Sequence, residues 1–213
     1  MNKAPLKPRH LEWAGIVGPA LFVASFTLEG WLRPGYEPNK MYVSELALGS
    51  HAWIQTINFI VFGLLLLGFT RAAAARFQNG KGSKAGIILL TIIAACYLAF
   101  GVFVMDPVGT PPDEMTLPGL IHGLLGELVL LLMPISCFVF ILRFREAGNW
   151  QRFRRWSLIL GTISAAAGLL LIAAFNLPGV QNSFIDWLGL IQRAAILPFM
   201  AWLVIFSIGL LRE

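Results

Sequence analysis

The chain has 213 residues, of which 57% are hydrophobic and 13% charged, against about 25% charged in a soluble globular protein. This composition excludes a water-soluble enzyme and leaves almost nothing for an extramembrane domain. The formal net charge is +5, but its placement along the chain marks membrane orientation and excludes a nucleic-acid-binding surface.

Six apolar runs are predicted as spans, at Leu11–Leu32, Ala52–Arg71, Ala85–Met105, Gly119–Leu142, Trp156–Phe175 and Phe184–Leu211. Each holds about 20 residues or more, enough to cross a hydrocarbon core of about 30 Å as a helix. Helix is the expected form because backbone groups in lipid must be satisfied within the segment. The fold class is therefore all-α: a six-transmembrane-helix bundle forming a single integral membrane domain over residues 1–213. The first run is too long for a cleavable signal peptide, contains Glu12 and Glu29, and is followed by no A-x-A site.

Basic residues alternate from loop to loop. Lys3, Lys7, Arg9, Arg71, Arg76, Lys81, Lys84, Arg143, Arg145, Arg152, Arg154, Arg155 and Arg212 fall on one side, Arg33 and Lys40 on the other, and Arg193 lies inside a span. The positive-inside rule places both termini in the cytoplasm. Trp13, Trp150 and Trp156 are expected at the inner interface, Trp31, Trp53 and Trp187 at the outer one. Cys96 and Cys137 differ in depth by about 15 Å, so two free buried thiols are expected.

The inner halves of the spans are nearly featureless, and the polar residues gather in the outer halves. Gln55 and Asn58 share a helix face with His51. Asp106 ends the third span, His122 and Glu127 lie in the fourth, Asn176 ends the fifth, and Gln192 and Arg193 lie in the sixth. Charges in lipid are costly, so these groups are expected to face one another around a polar cavity. Counted from Pro118 and Phe184, Glu127 and Arg193 are equally deep. They are expected to form an ion pair, with the stripe Gly119–Gly123–Glu127 admitting the neighbouring helix; a direct substrate role is the alternative.

His122 with Asp106 or Glu45 offers a proton shuttle and an orienting carboxylate. Ser44 reads as a nucleophile or, better, as a helix N-cap. Two histidines and two carboxylates make only a weak metal signal, so no metal and no cofactor is expected. Tyr42–Gly49 reads as a short interfacial helix lying over the bundle mouth.

Arg33-Pro-Gly-Tyr, Ser44-Glu45-Leu46-Ala47-Leu48-Gly49, Trp53-Ile-Gln55, Asn58-Phe59, Asp106-Pro107, Leu120-Ile121-His122-Gly123 and Gly189-Leu-Ile-Gln192-Arg193 together resemble the bacterial and archaeal family known as domain of unknown function 998. The resemblance covers nearly the whole chain and implies a six-span protein of the prokaryotic inner membrane whose activity is not assigned. That family is distantly similar to eukaryotic Frag1, DRAM and Sfk1-type proteins, associated with lipid handling and membrane stress. Three functions are open. The first is a protein binding or sensing a lipid or lipid-like ligand through Glu45, Gln55, Asn58, Asp106, His122, Glu127, Gln192 and Arg193. The second is a membrane hydrolase using His122 with Asp106 or Glu45, with metal assistance as an option. The third is a small transporter. Membrane lipids are the expected partners, a homo-oligomer is compatible with the sequence, and nucleic acid is not expected.

Overall fold

Each apolar run becomes a helix, and each helix ends where its backbone groups find another partner. The computed structural model describes residues 9–212, so Lys3 and Lys7 lie outside the described residues. The long helices are α1 (Arg9–Leu32), α2 (Ala52–Arg76), α3 (Ser83–Phe100), α4 (Leu117–Glu146), α5 (Gln151–Asn176) and, after the short α6 (Pro178–Phe184), α7 (Leu188–Leu211). No strand occurs among the described residues. Six helices are long and apolar enough to cross a membrane, which makes this a multi-pass membrane protein.

Several boundaries differ from the sequence reading. At the basic end α2, α4 and α5 run past their apolar cores, to Arg76, to Glu146 and from Gln151. Lysine and arginine are good helix formers, so a helix need not stop at the edge of the hydrocarbon. The third span stops at Phe100, and the chain turns through Gly101 toward Asp106-Pro107, where proline disfavours helix in the residue before it. The sixth span begins at Leu188; Phe184 closes α6, and a turn separates the two. Helices α4 and α7 run unbroken through Pro134 and Pro198.

Each long helix packs on its chain neighbour, and α7 closes on α1, so the six form a ring in chain order. Helix α5 stands between α4 and α7, while α7 leans inward to touch α2 and α4. Lipid gives no hydrophobic drive for this packing, so close contact and interhelical hydrogen bonds must supply the cohesion. Ser164 Oγ donates to Ala195 O at 2.7 Å, Trp202 Nε1 to Ser157 Oγ at 2.8 Å, and Ser207 Oγ to Glu12 O. A Cβ at Gly161 would lie 2.8 Å from the Phe138 ring, so that glycine sets the α4–α5 approach. The outward surface is apolar: Leu64, Leu124 and Leu169 are 56%, 70% and 58% exposed, as lipid-facing residues should be.

Aromatic side chains fill the ring. At the basic end Phe77, Phe140, Phe144, Trp150, Trp202 and Phe206 form a plug, with Phe144 and Trp150 stacked at 5.2 Å and Phe140 edge-on to Phe206 at 4.8 Å. Trp150, expected at the interface, is thus buried in the plug, while Trp13 and Trp156 remain exposed. Toward the other end, Phe22 stacks on Phe62 at 4.9 Å and Phe62 meets Tyr97 at 4.5 Å. Cys96 and Cys137 are free and buried, as expected.

Candidate functional site

The loop Arg33–His51 folds over one end of the ring and is tied down by α7. The first free N–H groups of α7, on Gly189 and Leu190, donate to Lys40 O at 3.1 Å and Asn39 O at 2.9 Å. Such orphan donors need partners at any helix start. A helix running on from Phe184 would have bonded them internally and left the loop no dock. Arg193 donates to Pro38 O at 2.6 Å, Met41 O at 3.0 Å, Gly189 O at 2.9 Å and Tyr36 Oη at 2.6 Å. Gln192 Oε1 accepts from Val43 N at 2.7 Å. On the far side Arg33 reaches Glu45 O at 3.2 Å, Leu48 O at 3.0 Å and the Glu29 carboxylate at 3.4 Å. The loop is therefore a latched lid.

Within the lid, Val43–Ala47 is a single 3-10 helix whose Val43, Leu46 and Ala47 are buried; it is inserted into the ring mouth instead of lying on the membrane surface. Ser44 is not its N-cap. Tyr42 holds that position, and its N–H donates to Glu45 Oε1 at 2.7 Å. Burial pushes the Glu45 carboxyl above its ordinary range, and this bond from Tyr42 opposes the shift. Burial likewise raises the Tyr36 hydroxyl, with Arg193 pulling it back, and raises Tyr42.

Beneath the lid lies a cavity of about 320 Å³, at the lower end of the roughly 300–1,000 Å³ typical of small-molecule sites. Its roof is Tyr42, Val43 and Ser44; its walls include Phe59, Tyr97, Phe100 and Phe175; its floor is Val129, Leu130 and Met133. Asp106, His122, Glu127, Gln181 and Gln192 supply polar edges. The cavity is thus mainly apolar, with polar groups placed singly.

Of the residues expected around one pocket, Ser44, Asp106, His122, Glu127 and Gln192 do line this cavity, while Glu45, Gln55, Asn58 and Arg193 do not. Glu45 and Arg193 hold the lid. Asn58 Nδ2 is bonded to Gln55 Oε1 and Phe22 O, both at 3.1 Å, joining α2 to α1. His51 is exposed and contacts Ser50 Oγ at 3.1 Å, apart from the other two.

Two expected pairings do not form. Asp106 accepts from Thr116 N and Thr116 Oγ1, each at 2.8 Å, while Thr116 Oγ1 caps α4 by accepting from Gly119 N at 3.1 Å. His122 Nδ1 bonds Phe103 O at 2.8 Å. A carbonyl only accepts, so Nδ1 carries the proton and, in the neutral ring, Nε2 keeps its lone pair. No carboxylate orients the ring among the described residues; Phe100 packs on it at 4.6 Å. The Glu127–Arg193 pair is also absent. Counted from Leu188, Arg193 lies about 7.5 Å into its helix, whereas Glu127 lies about 15 Å into α4. Glu127 Oε1 instead accepts from Asn176 Nδ2 at 3.1 Å.

The glycine stripe serves a different end. A Cβ at Gly119 would collide with the Asp106 carboxylate, whereas Gly123 and Gly126 face open space. No helix approaches there; the missing side chains are what leave room for the cavity. Small residues one and four places after His122 are the signal that sequence reading had available. Gly119→Ala is expected to push Asp106 off Thr116, uncap α4 and cost about 1–2 kcal/mol, measured as a lower thermal midpoint. No group of three His, Cys, Asp or Glu side chains converges among the described residues in a way that could hold a metal.

The family described as protein of unknown function (DUF998) matches residues 16–209, a stretch reaching from α1 to near the end of α7. No curated protein and no solved structure matches the chain.

Proposed function

The chain belongs to the family described as protein of unknown function (DUF998), and from that premise we propose that it binds a lipid or lipid-like amphiphile beneath its lid. The carrying observation is the cavity itself, apolar at its floor and walls and polar at a few separated points. That division suits a molecule with a hydrocarbon part and a small polar part. The latched lid above it and the aromatic plug at the basic end favour a one-ended binding site over a route across the membrane. Hydrolysis gains no support, because Asp106 is bonded to Thr116 and His122 to a backbone carbonyl.

Native mass spectrometry of the purified protein tests the reading. One amphiphile retained near unit stoichiometry, and enriched over bulk membrane composition, is expected. Lipid present only in bulk proportions would overturn it.

We also propose that the basic end faces the cytoplasm of a prokaryotic cell and the lid the opposite side of its inner membrane. Arg71, Arg76, Lys81, Lys84 and the arginines between 143 and 155 support this orientation. Both native cysteines are buried, so introduced ones can report. In intact cells an impermeant maleimide is expected to label Ser50→Cys and spare Asn149→Cys; the reverse pattern would invert the orientation.

A further inference from the structure

We propose that the ligand of this cavity carries an ammonium group, and that Glu127 is its counter-ion. The inference rests on the cavity being a ligand site, as proposed above.

Among the described residues the charged side chains lining the cavity are Asp106 and Glu127, and no lysine or arginine joins them. Asp106 is accounted for: its two carboxylate oxygens each accept from Thr116, and it supports the cap of α4. Glu127 is different. It stands half-buried at the cavity wall, level with the end of α5, and no cation among the described residues bonds it. Its described partner is one neutral amide, Asn176 Nδ2 on Oε1. Arg193, expected from the sequence to pair with it, is engaged by three acceptors in the lid and by Gly189 O of α7 itself. A carboxylate in this position is completed by a cation from outside the chain.

A second observation comes from His122. It is 94% buried, lines the cavity, and has Nδ1 fixed as a donor to Phe103 O, which leaves Nε2 of the neutral ring as an acceptor without a partner among the described residues. Both free polar functions on α4 therefore ask for donors. A carboxylate or phosphate in the same place would meet repulsion from Glu127 and no donor from His122. Below Glu127 the wall turns to Val129, Leu130 and Met133, which suits a hydrocarbon segment. Aromatic faces at Tyr97 and Phe100 add to the preference for a cation. The chemistry that fits is an alkylammonium amphiphile, whether a free long-chain amine or the amino group of an aminolipid.

The test uses full-length protein in a neutral maltoside detergent with decylammonium, decanol and decanoate as probes of equal chain length. Wild-type protein is expected to bind decylammonium about ten- to a hundredfold more tightly than decanol, and decanoate more weakly than either. Glu127→Gln keeps an oxygen for Asn176 and so preserves the α4–α5 bond. It is expected to bind decylammonium no better than decanol while retaining its affinity for decanol and its thermal midpoint. Native mass spectrometry in nanodiscs of phosphatidylethanolamine or phosphatidylcholine separates the two sources: retention of the primary-amine lipid alone, lost in Glu127→Gln, assigns an aminolipid; decylammonium binding without lipid retention assigns a free amine. Equal binding of all three probes overturns the counter-ion role and leaves the cavity standing. An ammonium preference that survives Glu127→Gln overturns it as well. Saturable binding of none of the probes, nor of either lipid, overturns the cavity reading along with it.

Discussion

Gly126→Phe is expected to abolish ligand retention by a folded protein. A Cβ built at Gly126 meets nothing within 4 Å, and the residue lines the cavity beneath the lid. A benzyl group there starts from open space and extends into the cavity that the ligand needs. Glycine in a helix interior is about 1 kcal/mol worse than alanine, so filling the position removes a backbone penalty as well. The thermal midpoint of the purified variant is expected to stay level or rise, while occupancy in native mass spectrometry falls by at least about tenfold. Gly126→Ala is the companion: stability gained, binding nearly kept. A well-folded Gly126→Phe protein that retains its ligand undiminished would dismiss the cavity as the site.

Arg193→Ala is expected to release the lid. The guanidinium satisfies the carbonyls of Pro38, Met41 and Gly189 together with Tyr36 Oη, and lies 5.7 Å from the Phe26 ring. Removing it strands a partly buried set of acceptors, at a cost on the order of 3 kcal/mol after allowance for water reaching the exposed ones. Lysine carries the same charge but a single tetrahedral head, which cannot serve four acceptors arranged around a planar fork. Arg193→Lys is therefore expected to recover less than half of the loss. Combining Arg193→Ala with Tyr36→Phe should cost less than the sum of the two, by about 1 kcal/mol, because they share one bond. Thermal unfolding gives the energies, and maleimide labelling of Ser44→Cys, half-buried on the lid where it roofs the cavity, should quicken in the arginine variants. Additive losses with unchanged labelling would mean that Arg193 is not the latch.

Much of the architecture was legible because lipid imposes simple rules. A run of about 20 apolar residues has one economical fold in a bilayer, and loops alternate in charge. The six spans, the two free thiols and the collection of Asp106, His122, Glu127 and Gln192 at one end followed from that. What was not legible depended on where helices start. Four residues separate Phe184 from Leu188, about 6 Å along a helix, and that offset is enough to part Glu127 from Arg193. The apolar character of Phe184 and Ile185 gives no hint of a break; the break exists because Gly189 and Leu190 find acceptors in a loop about 150 residues earlier. Trp150 misled for a related reason: proximity to a charged loop suggests an interface, yet the 3-10 turn Gly148–Trp150 folds it inward onto Phe144. Gly119 and Gly123 were read as packing surface, since sequence alone does not distinguish a glycine that admits a helix from one that leaves a void.

The latch also has a history within each molecule's own synthesis. The lid lies between the first two helices, and its clasps, Gly189, Gln192 and Arg193, lie in the last. At about 5–20 residues per second, the growing chain must wait roughly 8–30 seconds between making the lid and making what holds it. During that interval α1 to α5 can enter the bilayer, but the roof of the cavity is held only on its Arg33 side. Insertion of α7 is then the act that closes the ring against α1 and seats the lid at once. A nascent chain arrested before Leu188 would hold its lid on the Arg33 side alone, so the binding site is closed only once α7 is made.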